Sequence, residues 1–104
     1  MPVNRLLVIL TLLGGAAHAG EPVSDAAALE RLVRQDCGSC HGLTLKGGLG
    51  PDIRPQALRH YDTETLSEVV LDGIPGTAMP PWRPLLSESE AEWIADYLLN
   101  GEPE

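Results

Sequence analysis

The chain has 104 residues and carries 15 acidic side chains against 7 Lys and Arg, which gives a formal net charge of −8 at pH 7. This charge argues against nucleic acid or an anionic membrane surface as the main partner, and it favours a protein partner with a basic docking surface. The chain has no Phe, two Trp and two Tyr. A small domain with so few large rings usually needs a disulfide, a metal or a cofactor to complete its core.

The first 19 residues have the features of an export signal and not those of a folded element. Arg5 supplies a positive charge, an apolar run follows from residue 6 to residue 13, and Ala17-His18-Ala19 forms an A-x-A cleavage site. The apolar run is much shorter than the roughly 20 residues that a membrane-spanning helix needs. We therefore predict that residues 1–19 are a cleaved secretory signal peptide. Residues 20–104 then form one exported domain, with no membrane span after cleavage.

The first helix of this domain is predicted to start at a cap on Ser24 or Asp25 and to run to about Asp36. The apolar residues at i, i+3 and i+4 lie on one face. They are Leu29, Leu32 and Val33. The spacing predicts an ordinary amphipathic helix whose C-terminal end leads into the next motif.

Directly after this helix comes Cys37-Gly38-Ser39-Cys40-His41, a C-x-x-C-H motif. Two thiols at this spacing can add to the two vinyl groups of a haem and the adjacent imidazole can reach its iron, so the motif indicates covalent attachment of a c-type haem. A disulfide between cysteines this close would connect nothing distant. A thioredoxin-like redox motif would follow a βαβ pattern, which the chain lacks. Neither alternative explains the histidine.

The segment from Gly42 to Pro55 is too rich in glycine and proline to form a helix or a strand, so it is predicted to be a loop. Its glycines allow the backbone to approach a flat ligand closely, and Leu49 and Ile53 are its expected apolar contacts. No strand precedes it and no G-K-[ST] sequence occurs in it, so it does not indicate a phosphate site.

Two further helices are predicted, over residues 63–72 and 88–100. Gly73 ends the first, and Ile74 is expected to fold back onto it. A proline-rich loop over residues 75–84 precedes the second, which opens with a Ser-x-x-Glu capping box. The predicted buried faces comprise Leu66, Val69 and Val70 on the first helix and Ala91, Ile94, Ala95 and Leu98 on the second. No segment alternates as a strand does, so the fold class is all-α.

Few residues could serve as a second iron ligand. Loss of the signal peptide would remove Met1 and His18 and leave His60, Met79 and Lys46. Met79 stands directly before two prolines in the second loop, where restricted backbone angles would hold a thioether at little conformational cost. We predict that Met79 is the axial ligand, although a lone methionine can also simply fill a gap in a core. His60, which would give a bis-histidine haem, and an open sixth position are the alternatives.

These features together resemble the class I c-type cytochromes, small all-α electron carriers with one haem. The resemblance covers nearly all of residues 20–104. It rests on the first helix with its C-x-x-C-H-G motif, on Leu49-Gly50-Pro51-Asp52-Ile53, on Gly76-Thr77-Ala78-Met79-Pro80, and on the last helix with Trp93 and Tyr97. In the four-helix class II cytochromes, by contrast, the haem motif lies near the C-terminus.

The resemblance implies three to four helices wrapped around one covalently attached haem c, with the first and last helices crossing. Thioethers at Cys37 and Cys40, and His41 and Met79 as the axial iron ligands, are carried over from the family. So is a hydrogen bond from the Nδ1–H of His41 to the carbonyl of Pro51, which orients the imidazole.

Two shorter stretches, residues 47–51 and 72–82, are similar to the small periplasmic cytochromes of the dissimilatory nitrite reductase system, the NirC type. That similarity implies a periplasmic one-electron carrier, not an enzyme, which donates electrons to the d1-haem nitrite reductase during denitrification. Two alternatives stay open. The chain could be a redox partner in d1-haem maturation, or a haem protein that binds or senses a diatomic ligand in place of Met79.

Overall fold

The computed structural model of the protein describes residues 25–101, and these contain helices and loops but no strand. The first helical stretch has three segments in direct succession: α1 (Ala26–Leu32), a π-helical segment (Val33–Cys37) and α2 (Gly38–His41). A 3-10 turn (Pro55–Ala57), α3 (Thr63–Asp72) and α4 (Glu88–Asn100) follow. The predicted all-α class is confirmed. The signal peptide predicted over residues 1–19 and the domain start at residue 20 lie outside the described residues.

The first helical stretch begins where predicted but continues past Asp36 to His41. Asp25 caps its start, because its carboxylate accepts the amide of Ala27 at 3.0 Å. Helical backbone persists through the C-x-x-C-H motif and stops at Gly42, whose φ of +89° is rarely adopted by residues with a side chain. Both cysteines and the histidine are therefore held on a helix, and not in the loop that follows it.

The π-helical segment lies where the motif begins. The amide of Gly38 donates to the carbonyl of Val33, five residues earlier, so this turn contains one more residue than an α-helical turn. Val33 at its start is fully buried, whereas Cys40 in the next turn is exposed. The same helical stretch thus packs into the core at Val33 and carries the exposed Cys40 near its C-terminal end.

Helices α3 and α4 have the predicted bounds because their caps are encoded locally. Asp62 caps α3, since its carboxylate accepts the amide of Thr65 at 2.7 Å. In α4, the Ser87 hydroxyl accepts the amide of Glu90 at 3.1 Å and the Glu90 carboxylate accepts the amide of Ser87 at 3.0 Å. These two bonds form the predicted capping box.

The buried faces agree with prediction on α4 and differ in part on α3. On α3, Val69 is only half-buried and Leu71 is buried in addition to the predicted residues. Ile74, predicted to fold back onto the helix, is 42% exposed and is not one of the buried core residues. The backbone of Gly73 has φ 68° and ψ −169°, so the chain leaves α3 in an extended direction.

The core is built mainly where α3 packs on α4, and α1 of the first helical stretch contacts α4. Tyr97 is buried, and its ring stacks on Trp93 with the ring centroids 5.2 Å apart. Its hydroxyl lies 3.5 Å from the Glu30 carboxylate and 3.4 Å from the Arg34 guanidinium. Tyr97 therefore connects the first and last helices, in the arrangement that the family resemblance implies.

Candidate functional site

The two cysteines of the motif form no disulfide and lie in different surroundings. Cys37 is half-buried and Cys40 is exposed. Burial, with a smaller contribution from the neighbouring Asp36 carboxylate, raises the pKa of the Cys37 thiol to about 11. Before haem attachment the Cys37 thiol is therefore neutral at pH 7, and its partial burial places it at the boundary between the core and the surface that Cys40 faces.

The imidazole of His41 is oriented by the backbone of the loop that follows it. Its Nδ1 lies 2.7 Å from the carbonyl oxygen of Pro51. Because a carbonyl only accepts, Nδ1 carries the proton and donates, and Nε2 then keeps the lone pair that a metal ion requires. Gly50 lies against the same ring, since a Cβ at that position would fall 2.7 Å from its Cε1 atom. The contact between His41 and Pro51 that the resemblance implies is therefore observed.

Residues 42–53, here called the histidine-side loop, turn back onto the end of α2. The amide of Gly47 donates to the carbonyl of His41 at 2.7 Å, and the amide of Gly50 donates to the carbonyl of Cys40 at 2.8 Å. These bonds satisfy carbonyls that a helix C-terminus otherwise leaves unpaired. They also fix the part of the loop that contains Pro51 relative to His41.

Exposed leucines flank the motif. Leu43 is 73% exposed and Leu49 is 95% exposed, although both belong to the loop that is bonded to the end of α2. A large, flat, mostly apolar group bound at the motif would find exposed apolar side chains beside it. The residues present therefore fit a haem attached at Cys37 and Cys40.

Met79 lies in residues 73–83, here called the methionine-side loop, and is half-buried. Its carbonyl accepts the amide of Ile74 at 3.4 Å, and its amide donates to the Thr77 hydroxyl at 3.3 Å. The Met79 carbonyl also comes so close to Gly73 that a Cβ there would lie only 2.6 Å away. The loop thus fixes the backbone of Met79 from both sides.

The methionine-side loop is anchored at the C-terminal end of α3. Three successive carbonyls of that helix, those of Val69, Val70 and Leu71, accept bonds from loop amides. The donors are Gly73 at 2.9 Å, Trp82 at 3.1 Å and Arg83 at 2.9 Å. The Arg83 guanidinium also pairs with the Asp72 carboxylate at 2.8 Å, so both ends of the loop are attached to one helical turn.

The other candidate ligands have different surroundings. His60 is exposed, and its ring packs on Tyr61 with the centroids 4.3 Å apart. Lys46 is exposed as well. Within residues 25–101, no group of three or more His, Cys, Asp or Glu is arranged to hold a bare metal ion. In the same part of the chain, no helix is both long and apolar enough to cross a membrane.

A cavity of about 160 Å³ lies apart from the motif, between the histidine-side loop and the end of α4. Its lining includes Ile53, Arg54 and Tyr97, but neither cysteine, nor His41, nor Met79. Arg54 is held there by Asp52, whose carboxylate it contacts at 2.7 Å, and these hydrogen bonds lower the pKa of Asp52. This pair restrains the chain next to Pro51, a role that the residue pattern does not indicate.

Thr77 is the other residue whose role emerges only from the structure. The sequence contains a weak signal for this role. Pro75-Gly76 is a turn dipeptide, and a hydroxyl residue directly after such a turn can bond the backbone on both sides.

Comparison with known proteins is consistent with this geometry. A family described as cytochrome C oxidase, cbb3-type, subunit III matches residues 24–98. Cytochrome c55X of Paracoccus denitrificans is 61% identical over 103 residues, which is 96% of this chain and 98% of the relative. A solved structure described as c-type cytochrome NirC is 54% identical with a TM-score of 0.72, covering 75% of this chain and 95% of that chain.

A second solved structure matches over a limited part of its length. It is described as Dihydro-heme d1 dehydrogenase NirN in complex with DHE, and it is 35% identical with a TM-score of 0.66. The match covers 72% of this chain but only 16% of that chain. The similarity is therefore to one small part of the larger protein.

Proposed function

The chain belongs to this family of c-type cytochromes, and from that premise we propose that it is a one-electron carrier of the nitrite reductase system whose haem is ligated by His41 and Met79. Haem c is its covalently bound cofactor, and the protein transfers electrons instead of converting a substrate. The likeness to NirC and to part of NirN supports the place in the nitrite reductase system.

Cys37 and Cys40 form the two thioether bonds in this proposal, and His41 is the first axial ligand. The observation that carries it is the 2.7 Å contact between His41 Nδ1 and the Pro51 carbonyl. This contact sets the ring orientation and directs the lone pair to Nε2, as is usual for metal-bound histidine. When bound, the haem iron supplies the redox chemistry by alternating between the ferric and ferrous states.

Met79 is the sixth ligand in this proposal. Its backbone is held on both sides, so placing its thioether costs little further conformational entropy. Thioether ligation stabilises the ferrous state and raises the haem potential. With His41 and Met79 both holding the iron, the chain would keep the surroundings of the iron similar in the two redox states and would leave no position open to a substrate.

Absorption spectroscopy of the holoprotein tests this ligation. We expect a low-spin ferrous spectrum and a weak methionine-to-iron band in the ferric protein. Met79→Ala should abolish that band, whereas the matched control His60→Ala should leave it unchanged. A high-spin ferric spectrum of the unmodified protein, or a band that survives Met79→Ala, would contradict the proposal. Carbon monoxide binding to the reduced protein at neutral pH would favour the diatomic-sensing alternative.

The proposed partner docks through a basic surface, and the charges of the two long helices support this. Carboxylates recur at i, i+4 and i+8 on both helices and all are exposed. They are Glu64, Glu68 and Asp72 on α3 and Glu88, Glu92 and Asp96 on α4. Like charges at i, i+4 destabilise a helix by about 0.2–0.5 kcal/mol per pair. The two stripes meet where Arg83 contacts both Asp72 and Glu88. The combined negative charge of the two stripes favours long-range attraction of a cationic protein.

The rate of electron transfer to d1-haem nitrite reductase tests this surface. We expect the second-order rate constant to fall as salt is added, and the double variant Glu68→Gln/Glu92→Gln to show a lower rate at low salt and a shallower salt dependence. Asp36→Asn is the control, because Asp36 is an exposed carboxylate outside both stripes. A larger effect from Asp36→Asn than from the double variant would place docking elsewhere.

A role in d1-haem maturation is the second candidate, and the similarity to Dihydro-heme d1 dehydrogenase NirN is the observation that favours it. Donation and maturation need the same fold and the same iron ligands, so a cellular experiment separates them. If the gene is deleted and nitrite reductase lacks d1 haem, the chain acts in maturation. Nitrite reductase that contains d1 haem but turns over slowly indicates electron donation.

Export to the periplasm is part of the same proposal. It rests on the signal-peptide features of residues 1–19 and on the likeness to NirC. Mass spectrometry of the protein isolated from a periplasmic fraction should show a mature chain that begins at Gly20. A chain that retains residues 1–19, or one found only in the cytoplasmic fraction, would contradict it.

A further inference from the structure

The segment from Ile74 to Met79 forms a small closed loop. The carbonyl of Ile74 accepts the amide of Thr77 at 3.1 Å, across a turn whose central residues are Pro75 and Gly76. Gly76 has φ +81°, the conformation that a type II turn requires at that position. The amide of Ile74 donates in turn to the carbonyl of Met79 at 3.4 Å. The backbone of Ile74 is thereby hydrogen-bonded to both Thr77 and Met79.

Packing does little to hold this segment. Residues 75–78 are all exposed, and a Cβ added to Gly76 would meet no atom within 4 Å. Its shape therefore depends on backbone restriction and hydrogen bonds. One side chain takes part in two of those bonds: the Thr77 hydroxyl donates to the Ile74 carbonyl at 2.6 Å and accepts the Met79 amide at 3.3 Å.

We infer that Thr77 is a positioning residue for Met79, and that its hydroxyl keeps the methionine at the iron when another ligand competes for that position. This inference rests on the proposed ligation by Met79. The hydroxyl joins the turn to the ligand residue and so narrows the range of backbone angles open to Met79. Because the segment is exposed, water can satisfy the Met79 amide when the hydroxyl is absent. Its loss therefore loosens the loop without leaving a buried group unpaired.

The test is an imidazole titration of the ferric holoprotein, followed by loss of the methionine-to-iron band. Thr77→Val keeps the shape of the side chain but removes both hydrogen bonds, whereas Thr77→Ser keeps the hydroxyl. If the two bonds together contribute as much as one hydrogen bond of ordinary strength, imidazole should bind roughly three- to tenfold more tightly to Thr77→Val than to the unmodified protein. Thr77→Ser should stay within about twofold of the unmodified protein, since its hydroxyl can form the same bonds.

Ser87→Ala is the matched control for an effect on global stability. The Ser87 hydroxyl also accepts a nearby backbone amide, that of Glu90 at 3.1 Å, but it caps α4 and not the Met79 segment. This variant should unfold at a lower temperature with an unchanged affinity for imidazole. A rise in affinity equal to that of Thr77→Val would overturn the inference, because the hydroxyl would then act through stability alone.

Two further outcomes separate the inference from the proposal on which it rests. If the unmodified ferric protein has no methionine-to-iron band, the ligation by Met79 is wrong and the inference is overturned with it. If the band is present and Thr77→Val binds imidazole as the unmodified protein does, the ligation stands and the role of Thr77 is refuted.

Discussion

The two loops that carry the proposed iron ligands are built on the same plan but hold their ligands differently. Each returns to the C-terminal end of a helix and bonds its last carbonyls. The histidine-side loop also contacts the ligand side chain itself, through Pro51 and Gly50 at the His41 ring. The methionine-side loop bonds only the amide and carbonyl of Met79. Sulfur is a weak acceptor, so a loop can place a thioether chiefly by placing its backbone.

The largest effect is expected from Gly73→Ala, on the methionine side. The new Cβ would lie 2.6 Å from the Met79 carbonyl, a backbone atom that cannot turn away, and the site has φ +68° and ψ −169°. Strain at such a glycine-only conformation together with overpacking predicts a loss of about 2–4 kcal/mol of stability. Chemical denaturation measures this loss. The ferric spectrum should lose its methionine-to-iron band while the haem stays attached.

A smaller effect is expected from Gly50→Ala, on the histidine side. The new Cβ would come within 2.7–2.8 Å of the His41 ring atoms Cε1 and Nδ1, but a ring can rotate where a backbone cannot. Rotation would break the bond to Pro51, at a cost of about 0.5–1.5 kcal/mol. We expect altered axial-histidine resonances in the NMR spectrum of the holoprotein and a modest loss of stability. A larger loss of stability than that of Gly73→Ala would reverse the comparison between the loops.

Gly76→Ala separates backbone strain from close contact. A Cβ there meets nothing within 4 Å, and only the φ of +81° opposes it. The left-handed conformation predicts a cost of about 1–2 kcal/mol. Denaturation should show this loss, with the methionine-to-iron band retained. If Gly76→Ala destabilised the protein as much as Gly73→Ala, the close approach at Gly73 would not be the reason for the larger effect.

The smallest effect is expected from the ion pair between Asp72 and Arg83. Hydrogen bonds from Arg83 lower the pKa of Asp72 from its ordinary value of about 3.8. The pair therefore contributes stability that is fully present above the ordinary value and is lost as the pH falls through the lower pKa of the folded protein. Both side chains are about half exposed, so salt should weaken the contribution. The difference in stability between the unmodified protein and Asp72→Asn should shrink below about pH 4, whereas a difference that grew there would contradict this account.

Helix bounds were predictable where short-range chemistry sets them. Asp62 and Ser87 are capping residues, Gly73 suits a helix end, and α3 and α4 have the predicted bounds. The first helix was predicted too short, because the sequence pattern does not show that the C-x-x-C-H residues themselves take helical backbone. The π-helical turn at Val33–Cys37 left no pattern in the sequence either, since one extra residue per turn is a product of the surrounding packing.

The chemistry of the site was predictable from the sequence, but most of the contacts that hold the ligand residues in place were not. The motif alone indicated haem attachment, and the family resemblance supplied the contact between His41 and Pro51, which residue spacing could not have shown. The contacts of Thr77 and Gly73 with Met79 depend on how the loop closes, and closure is a three-dimensional property. The exposure of Ile74 went unpredicted for the same reason, because the backbone angles at Gly73 set the direction in which the chain leaves α3.

The methionine-side loop is attached to three consecutive carbonyls of α3. Opening of this loop and fraying of the last turn of α3 are therefore expected to occur together. Fraying the last turn of α3 would release the bonds to Gly73, Trp82 and Arg83 together. Such a segment opens as a cooperative unit. The amides of these three residues should therefore show a common free energy of opening in hydrogen-exchange measurements.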